Sequence, residues 1–194
     1  MTLPHVSPIR PVRKKTVPVG REWRYEPKLD GFRGMLYVEN GRGIFRSKTE
    51  RIMPRFRELA DALARELRVK SLILDGEIVV FGDHGPDFRA LMRGGAPTFS
   101  AFDLVWLNGR DLCPLPYTRR KALLKRFLAR RPLVGYVAHF NDAALFAAAT
   151  KLDLEGIVAK RTGDPYSEET EWIKVKHAGY SQNEGRWELF NKTS

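Results

Sequence analysis

Short strand-like runs, broken by turn residues and by two helical stripes in no regular order, are what most constrain the fold of this chain. Strand signals open at Glu22-Trp23-Arg24-Tyr25 and resume from Phe32 to Val38, where Asn40-Gly41 predicts a hairpin turn into Ile44-Phe45. The period then changes. Phe56, Leu59, Leu63 and Leu67 recur at helical spacing among charged residues. Leu72 to Phe81 reads as strand again, with a bulge or bend at Gly76. Asp87 predicts the cap of a short helix through Phe88, Leu91 and Met92 that stops at Gly94-Gly95. Phe99 to Leu107 is another strand, closed by Asn108-Gly109. A second stripe, Leu123, Leu124, Phe127 and Leu128, predicts a helix whose polar side carries Arg119, Arg120, Lys121, Lys125 and Arg126. Asn141-Asp142 starts a short helix through Leu145 and Phe146, and two late strands are expected over 156–160 and 172–176. This order predicts an α+β fold of antiparallel sheets with flanking helices rather than a βαβ repeat.

The 194 residues suffice for one substantial core, and 43% of them are hydrophobic. No apolar run approaches the roughly 18 residues of a membrane-spanning helix. The first residues lack the charged head and apolar run of a secretory signal, and the single cysteine, Cys113, has no internal disulfide partner. A cytoplasmic monomer without membrane association is the resulting expectation. Residues 1–20, with Pro4, Pro8, Pro11 and Pro18 among Arg10, Arg13, Lys14 and Lys15, read as a basic extended leader. A domain is expected over 21–178, followed by a short tail over 179–194. The formal charge of +11 favours polyanionic partners. His5, His84, His139 and His177 are scattered, so neither a zinc site nor histidine acid–base chemistry has support.

Chemistry concentrates in Lys28-Leu29-Asp30-Gly31-Phe32-Arg33. Lys28 can attack phosphorus only as a neutral amine, which requires a lowered pKa or removal of its proton. Neighbouring cations favour the neutral form, whereas Asp30 would oppose it if close. Arg33, Lys160, Lys174 and Lys176 suit phosphate oxygens, and the alternation of Lys174 and Lys176 about Val175 sends both to one side of a strand. Glu77 and Glu155 are hard oxygen donors of the kind that share magnesium with phosphate. Phe102 offers a planar face for a base, or core packing along its strand. Gly31 provides a turn or a close backbone approach.

Together with Asp75-Gly76-Glu77, Glu155-Gly156-Ile157-Val158-Ala159-Lys160 and Trp172-Ile173-Lys174-Val175-Lys176, the Lys28 cluster resembles the active site of the ATP-dependent polynucleotide ligase and mRNA-capping-enzyme superfamily. The likeness is strongest to bacterial end-joining DNA ligases and covers about residues 22–176. It implies a nucleotidyltransferase domain in which Lys28 takes AMP from ATP with release of pyrophosphate. AMP then passes to a DNA 5′-phosphate, and a neighbouring 3′-hydroxyl displaces it to seal the strand. Asp30, Lys174 and Lys176 would join Lys28 in this chemistry. Glu26, Gly31, Arg33, Glu77, Phe102 and Lys160 would hold the nucleotide. Glu77 and Glu155 would hold Mg2+, or Mn2+ in its place, and Arg33 would reach ribose or nucleic-acid phosphate. The implied substrate is nicked or broken double-stranded DNA, handled near the bacterial nucleoid during repair. The alternatives are an RNA ligase and a non-catalytic clamp on nicked DNA.

Two departures stand out. Ligases of this kind usually carry Ser-Arg-x-Gly after the second strand, where the arginine engages nucleic-acid phosphate. Here Arg46-Ser47-Lys48-Thr49-Glu50 puts Lys48 at the arginine position and Glu50 at the glycine position, or, in a shifted register, uses Arg46. Residues 177–194 are also too few for the oligonucleotide-binding (OB) barrel that usually follows. The expectation is therefore a fragment, a minimal enzyme aided by an OB-domain or end-joining partner, or an enzyme impaired in self-adenylation.

Overall fold

Two β-sheets face each other, and strand alternation decides which side chains enter the space between them. The computed structural model describes residues 3–83 and 85–183. In chain order come β1 (Val12–Arg13), β2 (Trp23–Pro27), β3 (Phe32–Glu39), β4 (Arg42–Ser47), α1 (Arg57–Leu67) and β5 (Ser71–Val79). A small hairpin, β6 (Phe81–Gly82) and β7 (Gly85–Pro86), leads to α2 (Phe88–Met92). Then follow β8 (Thr98–Leu107), β9 (Arg110–Asp111), α3 (Tyr117–Leu128), β10 (Val134–Tyr136), α4 (Leu145–Lys151), β11 (Gly156–Arg161) and β12 (Ile173–Lys176). The larger sheet runs β10-β8-β5-β3-β4 with β9 beside β8, and the smaller runs β1-β12-β11-β2. Pairing in both is antiparallel except for β1 with β12 and β10 with β8. The α+β expectation holds.

Local chemistry explains the connections. Asn40-Gly41 and Asn108-Gly109 take positive φ at both positions (50° and 78°, 48° and 85°), as the tight hairpin turn requires. The pairing of β5 with β8 shifts register between Asp75 and Gly76. A Cβ at Gly76 would lie 2.5 Å from the Ser100 carbonyl oxygen, so the bulge needs glycine. Asp87 caps α2 by accepting from Ala90 N at 2.8 Å.

Leu36, Val38, Leu72 and Leu74 face α1 and α3, where Leu63, Leu67 and Leu124 complete the main core. On the outer face of the smaller sheet, Tyr25, Ile157, Ala159, Ile173 and Val175 pack with Ala149 of α4. The residues in between point the other way. Met35, Tyr37 and Ile73 from one sheet meet Val158 and neighbouring Trp172 from the other, closing one end of the interlayer space.

One expectation changes here. Arg120 and Lys121 belong to no solvated helix face: they are 0% and 2% exposed. Arg120 pairs with Asp103 and Lys121 with Glu26, acidic residues from distant strands that helical periodicity does not reveal. The described part of the basic leader lies against the body, with Ile9 buried and β1 hydrogen-bonded along β12. Of the tail, Tyr180 is buried and Gln182 binds the α2 region, while 184–194 lie outside the described residues. Among the described residues, no helix is long and apolar enough to cross a membrane.

Candidate active site

A cavity of about 580 Å³ opens between the sheets, lined by Lys28, Arg33, Lys48, Glu77, Phe102, Glu155, Lys160, Trp172, Lys174 and Lys176, among others. Lys28 sits just after β2, where its backbone N–H donates to Gly156 O at 2.9 Å. Its Nζ lies 2.5 Å from Glu155 Oε2, and Lys176 Nζ lies 2.7 Å from Glu155 Oε1. One buried carboxylate therefore gathers two amines. Burial pushes the Glu155 carboxyl up, but Lys28 and Lys176 outweigh that and hold it below the ordinary range. The Lys174 amine is lowered by burial and then by Lys28 and Lys176. Burial, reinforced by Glu155 and Asp30 and only partly offset by Lys28 and Arg33, raises the Glu77 carboxyl to about 7.

A second group draws on both sheets. Arg33 makes a bidentate pair with Asp75, both contacts at 2.5 Å, and its guanidinium lies 4.8 Å from the Phe102 ring. Tyr166 OH donates to Asp75 at 2.6 Å. Phe102 meets Trp172 edge-on at 5.9 Å, leaving an aromatic wall of the kind a purine can stack on. Lys160 Nζ is 3.8 Å from the centre of the Trp172 ring and 2.7 Å from Glu26 Oε2. Lys121 Nζ and Tyr117 OH both reach Glu26 Oε1, at 2.5 and 2.8 Å. Burial opposes a charged Glu26, yet the two lysines hold its carboxyl low.

This buried group carries one carboxylate and two amines, and the excess cation has a thermodynamic signature. Burial lowers the Lys160 amine from 10.5 to about 8, against the pull of Glu26. The unfolded chain therefore binds more protons than the folded chain between those pH values. The cost is fully present below pH 8 and is relieved as pH rises toward 10.5. Lys160→Met leaves Glu26 paired with Lys121, so the variant is expected to be more stable than the parent at pH 7 by about 1–3 kcal/mol. Denaturant unfolding at pH 7 and 9.5 checks this, since the advantage shrinks at the higher pH; an equal or growing advantage contradicts it.

The remaining sequence candidates separate. Asp30 does not line the cavity; it is buried and accepts from Tyr180 OH at 3.1 Å. Gly31 borders the cavity, but its close approach is to protein, since a Cβ there would lie 2.1 Å from Ile78 O. Of the two basic residues near the turn after β4, Lys48 lines the cavity. Arg46 instead stacks on Tyr37 at 5.6 Å and donates to Glu50 O. Glu50 adopts φ 65°, a conformation that favours glycine. Lys121 and Tyr117 escaped sequence reading because α3 supplies them from far along the chain. Trp172 was visible only as the first residue of the Trp172-Ile173-Lys174-Val175-Lys176 cluster.

Comparison with known proteins decides the family. The model of the ATP dependent DNA ligase domain matches residues 7–176. This chain belongs to the ATP-dependent DNA ligase domain family. Its relatives include the multifunctional non-homologous end joining protein LigD of Pseudomonas aeruginosa, 37% identical over 173 residues covering 80% of this chain and 20% of the relative. DNA ligase C1 of Mycolicibacterium smegmatis is 32% identical over 205 residues, covering 91% and 59%. The ligase domain of M. tuberculosis LigD superposes with a TM-score of 0.78 at 29% identity, covering 89% of this chain and 59% of that one. The chain thus spans about a fifth of the length of the LigD relatives it matches.

Proposed function

We propose that this ligase-family domain is the catalytic core of an ATP-dependent DNA ligase. The carrying observation is the Lys28 amine, held by Glu155 beside Lys174 and Lys176 in a cavity walled by Phe102 and Trp172. The aromatic wall suits adenine, and the two neighbouring cations, Lys174 and Lys176, suit phosphate. Neutral Lys28 Nζ attacks the α-phosphorus of ATP and loses its proton as the P–N bond forms. The P–O bond to pyrophosphate breaks. The DNA 5′-phosphate then attacks the phosphoramidate phosphorus, regenerating the lysine and giving adenylylated DNA. A 3′-hydroxyl finally displaces AMP as the phosphodiester forms. Lys174 and Lys176 stabilise charge on the transferring group, Arg33 and Lys48 meet ribose or nucleic-acid phosphate, and Glu26, Gly31, Phe102 and Lys160 shape the base side. Asp30, tied to Tyr180, positions the loop after Lys28.

A divalent ion fits this donor set in one way. Among the described residues, no group of three or more acidic, histidine or cysteine side chains forms a metal cage. Glu77 and Glu155 nevertheless line the same cavity, which suits a magnesium ion that takes its remaining ligands from phosphate and water. When bound, the ion would neutralise charge on the phosphate oxygens. The substrate is nicked or broken duplex DNA, with an OB domain or an end-joining protein as partner, in an intracellular repair setting.

The test is intact mass with and without ATP and magnesium, after removal of any AMP carried through purification, followed by sealing of matched DNA and RNA nicks. A gain of one adenylyl group and sealing of the DNA nick are expected. An unchanged mass, even with a supplied OB domain, sinks the adenylation step, and preference for the RNA nick overturns the substrate assignment.

A further inference from the structure

Residues 5–13 run from one sheet to the other and border the cavity. At one end β1 pairs with β12, Val12 N donating to Trp172 O at 2.8 Å and Lys14 N to Lys174 O at 3.1 Å. At the other end Val6 N donates to Tyr37 OH at 3.2 Å on the larger sheet. His5 Nε2 lies 2.7 Å from Glu50 Oε2 on the turn that follows β4. Between these anchors Ile9, Arg10 and Pro11 line the cavity, with Ile9 buried and Arg10 exposed. Glu50 holds its end of the strap from a left-handed backbone, φ 65°, and its carboxylate also feels Arg10.

The charges around this cavity are unbalanced: among the described lining residues, three carboxylates, Glu26, Glu77 and Glu155, stand against seven basic side chains. Glu155 and Glu26 are each engaged by two amines. Arg10 and Lys48 also line the cavity, and Lys48 adds its positive field to Lys174. A lysine supplies a point charge there, whereas a guanidinium supplies the planar fork that binds two phosphate oxygens at once. We propose that Arg10 is a phosphate-binding residue, presented by the strap that Glu50 anchors, and that with Lys48 it holds a phosphate group at the outer edge of the cavity. This rests on the reading of the cavity as the ATP and nick site. The phosphate belongs either to the ATP tail or to the DNA 5′ end. The fork that the Ser47–Glu50 turn lacks thus arrives from the leader.

Binding, rather than turnover, tests the idea. Affinities are measured in EDTA for ATP, for a nicked duplex with a 5′-phosphate and for the same nick with a 5′-hydroxyl. The proteins are the parent, Arg10→Ala, Arg10→Lys and Glu50→Gly. Arg10→Ala is expected to weaken ATP or the 5′-phosphate nick by about tenfold. Arg10→Lys recovers part of the loss, and Glu50→Gly weakens the same ligand. Loss confined to ATP assigns the nucleotide tail; loss on the 5′-phosphate nick but not the 5′-hydroxyl nick assigns the DNA end. Parent-like binding of every ligand by Arg10→Ala overturns the proposal, as does an equal loss on both nicks, which reports a general field. Parent-like binding by Glu50→Gly overturns the role of the strap. A parent that binds neither ATP nor nicked DNA removes both this inference and the ligase reading.

Discussion

Lys28→Arg is expected to keep the fold and the charge of the cavity while abolishing the ATP-dependent adenylyl gain, by more than about 10³-fold. The substitution separates two roles that an alanine would remove together. Glu155 Oε2, 2.5 Å from the Lys28 amine, still finds a cationic partner, and Lys176 keeps its own contact at 2.7 Å. What disappears is a group able to become neutral: a guanidinium stays protonated throughout the accessible pH range and offers no lone pair to phosphorus. Intact mass after incubation with ATP and magnesium reads the loss, and thermal unfolding confirms that the variant remains folded. A variant that still gains an adenylyl group at the parent rate would mean that another side chain is the nucleophile, with Lys28 reduced to a phosphate contact. Sealing of a nick that already carries AMP adds a control. That step needs no lysine adenylate, so Lys28→Arg should retain more of it than of the overall reaction.

The residues that act through local pattern were legible in the sequence. Alternation places Lys174 and Lys176 on one face, and the same rule sends Asp75 and Glu77 of β5 into the interlayer space. The Asn-Gly turns and the Asp87 cap follow from single-residue conformational preferences that tertiary packing did not override. Legibility fails where a side chain's partner is far away in sequence. The helical stripe of α3 gives no sign that Arg120 and Lys121 turn inward, because their acids come from β8 and β2. The leader reads only as a basic extended segment, because a proline-rich string can pair at a sheet edge without any period of its own. Asp30 shows the same limit from the other side. It stands beside Lys28 in the chain, and its carboxylate accepts from Tyr180, which approaches from the other end of the domain.

The inward turn of α3 carries the largest stability effect. Arg120 and Asp103 are both 0% exposed and meet through two contacts, Nε to Oδ1 at 2.9 Å and Nη2 to Oδ2 at 3.0 Å. Arg120 Nη1 also donates to the Leu115 and Asp164 carbonyls, joining α3 to the segments before it and after β11. Arg120→Leu leaves the Asp103 carboxylate buried, with the Leu104 N–H as its remaining described donor, and strips both carbonyls of this partner. Breaking a buried pair from one side costs about 3–5 kcal/mol. For a chain of this length, that lowers the melting temperature by roughly 6–20 °C. Replacing both partners, Arg120→Met with Asp103→Leu, is expected to recover most of the loss, because no uncompensated charge then remains buried. Thermal unfolding of the parent, the single variant and the double variant decides the matter. If the double variant is as unstable as the single one, the two carbonyl contacts of Arg120, and not its pairing with Asp103, hold α3 in place. Asp103 adjoins Phe102 on β8, so the single variant should also bind ATP more weakly at temperatures where it is still folded, and the double variant should recover that binding along with stability.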